Sequence, residues 1–338
     1  MSESAPPRRA LRWAASLVGG ALLLWLASRR LQLVPQELTL ARPERLAAAI
    51  ALHLPYVALR SLRLRFALDP LVRSASAGRL RRLAPGLLHG SGWVSFLVIL
   101  LLPLRLGELS RPLLLARAAA PGVGFAEALA AVATERVVDG LAVVALLFGG
   151  LALAPTAGVA LAADVQAFGR LMTLLFVAGL VVLVALARAP AAVVRALRLR
   201  PRAAAVVDRL AAAIRPLARP AQGLPFVAVT LAYWGVTVLQ LWLVLGAAGL
   251  DLGLAAAAAV VATIGLSIQL PGGPAQAGSF QLGALAGLAL FLDDAALAGP
   301  GSIFTAAMYL LGLVGALTMA LPGALWLRRA HTAPPPPP

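Results

Sequence analysis

Long apolar stretches alternate with short polar ones along this chain. Apolar runs cover Trp13 to Ala27, Leu46 to Leu59 with an extension to Leu68, Leu83 to Leu102 and Phe125 to Leu153. Further runs cover Leu171 to Ala187, Phe226 to Leu250, Ala255 to Leu270, Gly278 to Phe291 and Ile303 to Leu327. A membrane-crossing helix needs about 20 apolar residues. The pattern therefore predicts an all-α polytopic membrane protein. The first run follows Arg8, Arg9 and Arg12 and has the look of a secretory leader. Leu26-Ala27-Ser28-Arg29-Arg30 is a poor small-x-small cleavage site, which favours a retained first span.

Charge placement orients the runs. Arg63, Arg65, Arg73, Arg79, Arg81 and Arg82 follow the second run, and Arg188, Arg195, Arg198, Arg200, Arg202, Arg209, Arg215 and Arg219 follow the fifth. Arg-rich flanks mark cytoplasmic loops, and Arg60 is expected to snorkel toward the first of them. The linker 155–168 carries Asp164 and no basic residue, and Asp251 closes the Phe226–Leu250 run, so both read as external. Arg328 and Arg329 place the end of the last run inside. Segment 188–222 has apolar positions at helical spacing and predicts an amphipathic surface helix near anionic headgroups.

Simple counting conflicts with this charge rule. If every run crossed, the acidic linkers would fall on the wrong side. The conflict resolves if Leu83–Leu102 returns through Leu106–Ala119 with a tip at Pro103–Glu108, and if Ala255–Phe291 is a second hairpin with its tip at Pro271–Pro274. Limbs of roughly 16–18 residues are short for a full span. The expectation is two inverted repeats, about 11–153 and 168–327, each three transmembrane helices plus a re-entrant helical hairpin, with N and C termini cytoplasmic. One membrane domain covers 1–327, and 328–338 is a Pro-rich tail. Inverted repeats with interrupted helices point to a transporter whose site lies between the interruptions. The alternative is eight ordinary spans that break the charge rule.

Composition sharpens this. Of 338 residues 61% are hydrophobic and 12% charged, far from a soluble domain. The net charge is +16, all of it from arginine. The arginines sit between apolar runs and form no soluble basic domain, so nucleic acid is not an expected partner. With no cysteine there is no disulfide or thiol nucleophile. Without lysine there is no Walker loop, and no cofactor or metal is expected.

The charges that remain inside apolar sequence are the candidate chemistry. Leu102-Pro103-Leu104-Arg105-Leu106-Gly107-Glu108 is followed by Arg111-Pro112, and Glu135-Arg136-Val137-Val138-Asp139 sits within Phe125–Leu153. A charge at that depth costs a few kcal/mol and must meet a partner or a wet cavity. Glu135 and Asp139 share a helix face. The expected site is a buried network of Arg105, Glu108, Arg111, Glu135, Arg136 and Asp139, with one arginine free for a lipid phosphate. Its competing role is to lock hairpin to helix. Gly272 and Gly273 offer uncovered amides to an anionic headgroup, or else form a tight turn. Glu127 reads as a helix N-terminal charge, Asp293-Asp294 as a solvated loop, His53 as a packed polar residue, and Gly283-Ala284-Leu285-Ala286-Gly287 as a helix-packing face.

These motifs, with Leu270-Pro271-Gly272-Gly273 and Gly278, resemble the membrane domain of the lysylphosphatidylglycerol synthase family, across about Leu11 to Leu327. The resemblance implies a flippase-like protein of the cytoplasmic (inner) membrane that moves a phospholipid or lipid-linked headgroup between leaflets. The soluble aminoacyltransferase domain of full synthases is not expected, so aminoacyl transfer is not implied and the chain is read as a non-enzyme. Pro274 and Gln276 depart from the tighter glycine-rich turn of the second motif. Other readings are an intramembrane transferase on a lipid-phosphate carrier and a non-catalytic partner of an envelope glycolipid pathway. The expected partners are lipid, a second copy of the chain, or an envelope-pathway enzyme.

Overall fold

A computed structural model describes residues 7–80, 82–156, 159–270 and 272–332, with the side chains of 7–12, 103–105, 159, 160, 331 and 332 outside the description. The chain is a multi-pass α-helical membrane protein. Among the described residues four helices are long and apolar enough to cross a bilayer: Phe125–Leu153, Leu161–Arg188, Pro220–Ala247 and Asp294–Ala330. Trp13–Ser28, Pro85–Leu101 and Leu254–Ser267 are shorter apolar helices. Proline repeatedly opens helices at their first turn, where its missing N–H costs nothing. It does so in α2 (Pro43–Ala51), α5 (Pro85–Leu101), α9 (Pro190–Ala196), α10 (Pro201–Ile214) and α11 (Pro220–Ala247).

The second apolar run is not one helix. It is broken into α2, α3 (His53–Leu62) and α4 (Arg65–Ala75). Pro55 has no N–H for the Ala51 carbonyl, so the helix cannot run through unkinked. The second break falls at Arg63 and Leu64, both of which keep right-handed helical φ/ψ.

The chain reverses after α5. Leu102 is extended (φ −91°, ψ 137°), as the residue before a proline prefers. A 3-10 turn, Pro103–Leu109, and α6 (Ser110–Arg117) then fold back along α5. Gly107 permits this, because a Cβ there would sit 2.5 Å from the Ile99 amide nitrogen. A second reversal joins α12 (Leu254–Ser267) to α13 (Ser279–Leu288) through the 3-10 turn Pro274–Gln276. The expected glycine face is used here. A Cβ on Gly283 would lie 2.8 Å from Ile264 Cα, and one on Gly287 2.9 Å from Val260 Cα.

The longer limbs pair with long helices. α5 lies along α15 (Ser302–Thr332), where Gly90 meets Gly323 and the Trp93 and Trp326 rings stack at 5.1 Å. α12 lies along α7 (Phe125–Leu153), where a Cβ on Gly150 would meet the Ala255 carbonyl at 2.6 Å. Segment 188–222 is α9, α10 and a short 3-10 turn, not one helix. The apolar face of α10 packs through Ala213 and Ile214 against Ala130 of α7 and Leu183 of α8 (Val159–Arg188). Its Arg209 reaches Glu127 at 2.6 Å, while Glu127 also accepts from the Gly124 amide at 3.0 Å at the start of α7. That face is thus covered by protein. Asp293 and Asp294 are more than loop charges. Asp293 caps α14 (Asp294–Ala296) by accepting from the Ala296 amide at 2.8 Å, and Asp294 pairs with Arg30 just after α1 (Pro7–Ser28).

Candidate functional site

Three charges within two turns of α7, Glu135, Arg136 and Asp139, go to three different partners. Asp139 takes Arg63 as a two-pronged partner, Nη1 on Oδ1 at 2.5 Å and Nη2 on Oδ2 at 3.0 Å, and Trp234 Nε1 of α11 donates to Oδ1 at 3.1 Å. Glu135, one turn earlier on the same face, accepts from Arg111 Nη1 of α6 at 2.9 Å. Arg111 Nη2 also donates to the Ser61 carbonyl at 3.0 Å, tying α6 to α3. Arg136 turns the other way, with Nη2 2.7 Å from Glu108 Oε2 on the first 3-10 turn. The carboxylates and guanidinium groups expected to meet form a belt, but Asp139 pairs with Arg63 and not with Arg111 or Arg136. The Arg105 side chain lies outside the described residues.

Arg63 corrects a second expectation. It is not a solvated member of a cytoplasmic cluster. It is 1% exposed, with its guanidinium 4.7 Å from the Tyr233 ring centroid. A buried arginine is tolerated only when its charge is matched, and Asp139 supplies the match.

A cavity of about 500 Å³ opens beside the belt. Glu108 and Leu109 of the first reversal and Ala275 and Gln276 of the second both reach it. Its other walls come from Tyr56 and Arg60 of α3, Phe96 of α5, Arg136 and Asp139 of α7, Tyr233 and Trp234 of α11, and Tyr309 of α15. The lining is mostly apolar and aromatic with a few polar groups, the usual make-up of a site for a ligand with an apolar body.

Arg60 does not snorkel to a surface. Its guanidinium lies over the Phe96 ring at 4.1 Å and Nη1 donates to Tyr56 Oη at 3.4 Å. Among the described residues no carboxylate pairs with it. Arg63 and Arg111 each have a carboxylate and Arg136 has Glu108, so Arg60 is the guanidinium in the cavity wall whose charge is unmatched by such a pair.

The second reversal is tight and strained. Ala275 and Gln276 are both left-handed, at φ +58° and +61°, a conformation costing about 1–3 kcal/mol each outside glycine. Tyr309 Oη holds the turn by donating to the Ala275 carbonyl at 3.1 Å. Gly272 and Gly273 are not in the cavity wall. The Gly273 amide donates to the Ala277 carbonyl at 2.9 Å, and Ser16 Oγ donates to the Gly272 carbonyl at 2.8 Å. These glycines admit α1: a Cβ on Gly20 would lie 2.5 Å from the Gly273 nitrogen. Pro271 lies outside the described residues. His53 is buried against Tyr56, with ring centroids 5.4 Å apart.

A family model, the lysylphosphatidylglycerol synthase TM region, matches residues 12–323. The chain belongs to this family. No curated protein and no solved structure matched it. Membership accounts for the apolar helices and a lipid-related role in the membrane, and the match spans α1 through most of α15. Sequence reading missed Arg60 and Arg63. A signal for both was present: Tyr56, Arg60 and Arg63 recur at i, i+4 and i+7 within an apolar run, which puts them on one helix face. Polar residues sharing a face inside a membrane segment point inward by default.

Proposed function

We propose that this protein is a translocase for lipids with an anionic, phosphate-bearing headgroup, acting in the cytoplasmic membrane as one membrane unit, residues 1–327. The observation that carries this is Arg60. It places an unmatched guanidinium in the wall of a largely apolar cavity that both chain reversals reach. A phosphate is the ligand whose charge and geometry suit a guanidinium, and the aromatic walls suit the glycerol and upper acyl region. Arg136, half-buried beside Glu108, is the second cation on that wall. Movement between leaflets would expose the cavity to one side and then the other by rocking the two reversals against the long helices.

An exchange of partners supports the reading as two inverted repeats. α5, from the first half, lies along α15 of the second, and α12, from the second half, lies along α7 of the first. Each reversal is thus anchored on the closing helix of the opposite half. In such an architecture the reversals are re-entrant and the site sits between them. The transferase alternative needs a free carboxylate at Asp139, and both its oxygens are held by Arg63.

The test is reconstitution in proteoliposomes with tail-labelled phosphatidylglycerol, following access of the label to an impermeant quencher. The wild-type protein should equilibrate the label across the bilayer, and Arg60→Gln should slow it by about 10-fold or more, the loss of one charge-assisted contact. Equal rates for the two proteins would overturn the assignment.

A further inference from the structure

Behind the charge belt lies a second, much smaller void of about 30 Å³. It is lined by Arg60, Arg63, Arg111 and Arg136 together with Glu108 and Glu135. That size admits one or two water-sized particles and is too small for a headgroup. The wall also carries Gly92, where a Cβ would lie 3.4 Å from Arg111 Nη2 and would begin to fill the space.

Two features decide what belongs there. The first is hydrogen bonding. The Nε–H groups of Arg63, Arg111 and Arg136 are buried with no hydrogen-bond partner among the described residues; of the two carboxylates lining the void, Glu135 Oε1 also has none, while Glu108 Oε2 sits 2.7 Å from Arg136 Nη2 as its ion-pair partner. Orphaned buried donors call for an acceptor. The second is charge. Four guanidinium groups line the void, and the carboxylates held to them are Glu108, Glu135 and Asp139, which leaves one positive charge in excess among the described side chains. A water would answer the first need and not the second.

We infer that this void is a monatomic-anion site, occupied by chloride, in which the buried guanidinium groups of Arg63, Arg111 and Arg136 surround the ion. This does not rest on the translocase reading, since it concerns the resting charge balance of the folded chain.

The experiment uses the full chain purified in nanodiscs, melted in sodium chloride, sodium bromide, sodium gluconate and sodium phosphate at equal ionic strength. Chloride and bromide should raise the melting temperature over gluconate by about 3–6 °C once well above the dissociation constant. Arg136→Gln removes the excess charge and should lose that shift. Bromide should give a density peak in the void between Gly92 and Glu135. Equal melting in halide and gluconate with no bromide peak overturns the inference and leaves a water there. Stabilisation by phosphate alone also overturns it, because the counter-charge is then taken in the larger cavity at Arg60. Where Arg136→Gln does not fold, the bromide peak decides, and a peak elsewhere counts against the site.

Discussion

Arg63 and Asp139 form a two-pronged ion pair that joins the break between α3 and α4 to the middle of α7, with Trp234 as a third partner. Removing one member leaves the other buried and unmatched, which costs about 3–5 kcal/mol. Asp139→Leu and Arg63→Met should each lower stability by that much. The double replacement Arg63→Met with Asp139→Leu should recover most of it, because two apolar side chains of similar volume need no partner. Thermal or denaturant melting of the four proteins as a cycle gives the coupling. Additive losses would show that the pair is not coupled.

Arg60 should behave in the opposite way. Among the described residues it leaves no carboxylate orphaned when removed, so Arg60→Gln should change stability by less than about 1 kcal/mol while it slows lipid movement. Arg60→Lys keeps the charge but not the planar fork and should fall between the two. The separation of stability from transport is the measurement, and a parallel loss of both would make Arg60 structural.

Two neighbouring glycines offer a packing test. A Cβ on Gly150 would meet the Ala255 carbonyl at 2.6 Å and the Ala259 nitrogen at 2.8 Å, whereas nothing lies within 4 Å of one on Gly149. Gly150→Ala should push α7 from α12 and cost about 1–3 kcal/mol. Gly149→Ala should stabilise by about 0.5–1 kcal/mol, the helix propensity difference. Melting temperatures that move in the same direction for both would contradict the close approach of these helices.

At one end of the bundle Arg42 pairs with Asp251 at 2.5 and 3.0 Å, linking the start of α2 to the loop after α11. The hydrogen bond and charge of Arg42 hold the Asp251 carboxyl below its usual value. A depressed folded-state value means the contribution is complete above the ordinary aspartate range, about pH 4, and is lost as pH falls through the lowered value. Both side chains are solvent-accessible, so the contribution is small and salt-screened. Asp251→Asn should melt slightly below wild type at neutral pH, and the difference should close in acid and at high salt. A difference that persists in acid would assign it to something other than the ion pair.

The all-α membrane character was fully legible in the sequence, because insertion depends on run length and apolarity, which are local properties. So was the turn after α5: Leu102 before Pro103 is extended for a steric reason confined to two residues. The close packing of α13 on α12 followed from Gly283 and Gly287, since small residues at that spacing serve one purpose. The pairings of Arg111 with Glu135 and of Arg136 with Glu108 were also within reach, because few opposite charges were available inside apolar sequence.

What tertiary structure alone decided is which partner each inward arginine meets. Charge bookkeeping reads Arg60 and Arg63 as flanks of a loop, since it counts residues along the chain and not directions around a helix. Asp139, far off in sequence, supplies the charge that lets Arg63 be buried. The tip glycines went the other way. Gly272 and Gly273 have the composition of an open anion nest, yet Ser16, Gly20 and Ala277 occupy their polar groups and space. Burial and pairing depend on contacts between distant segments, and no local pattern encodes which distant segment arrives.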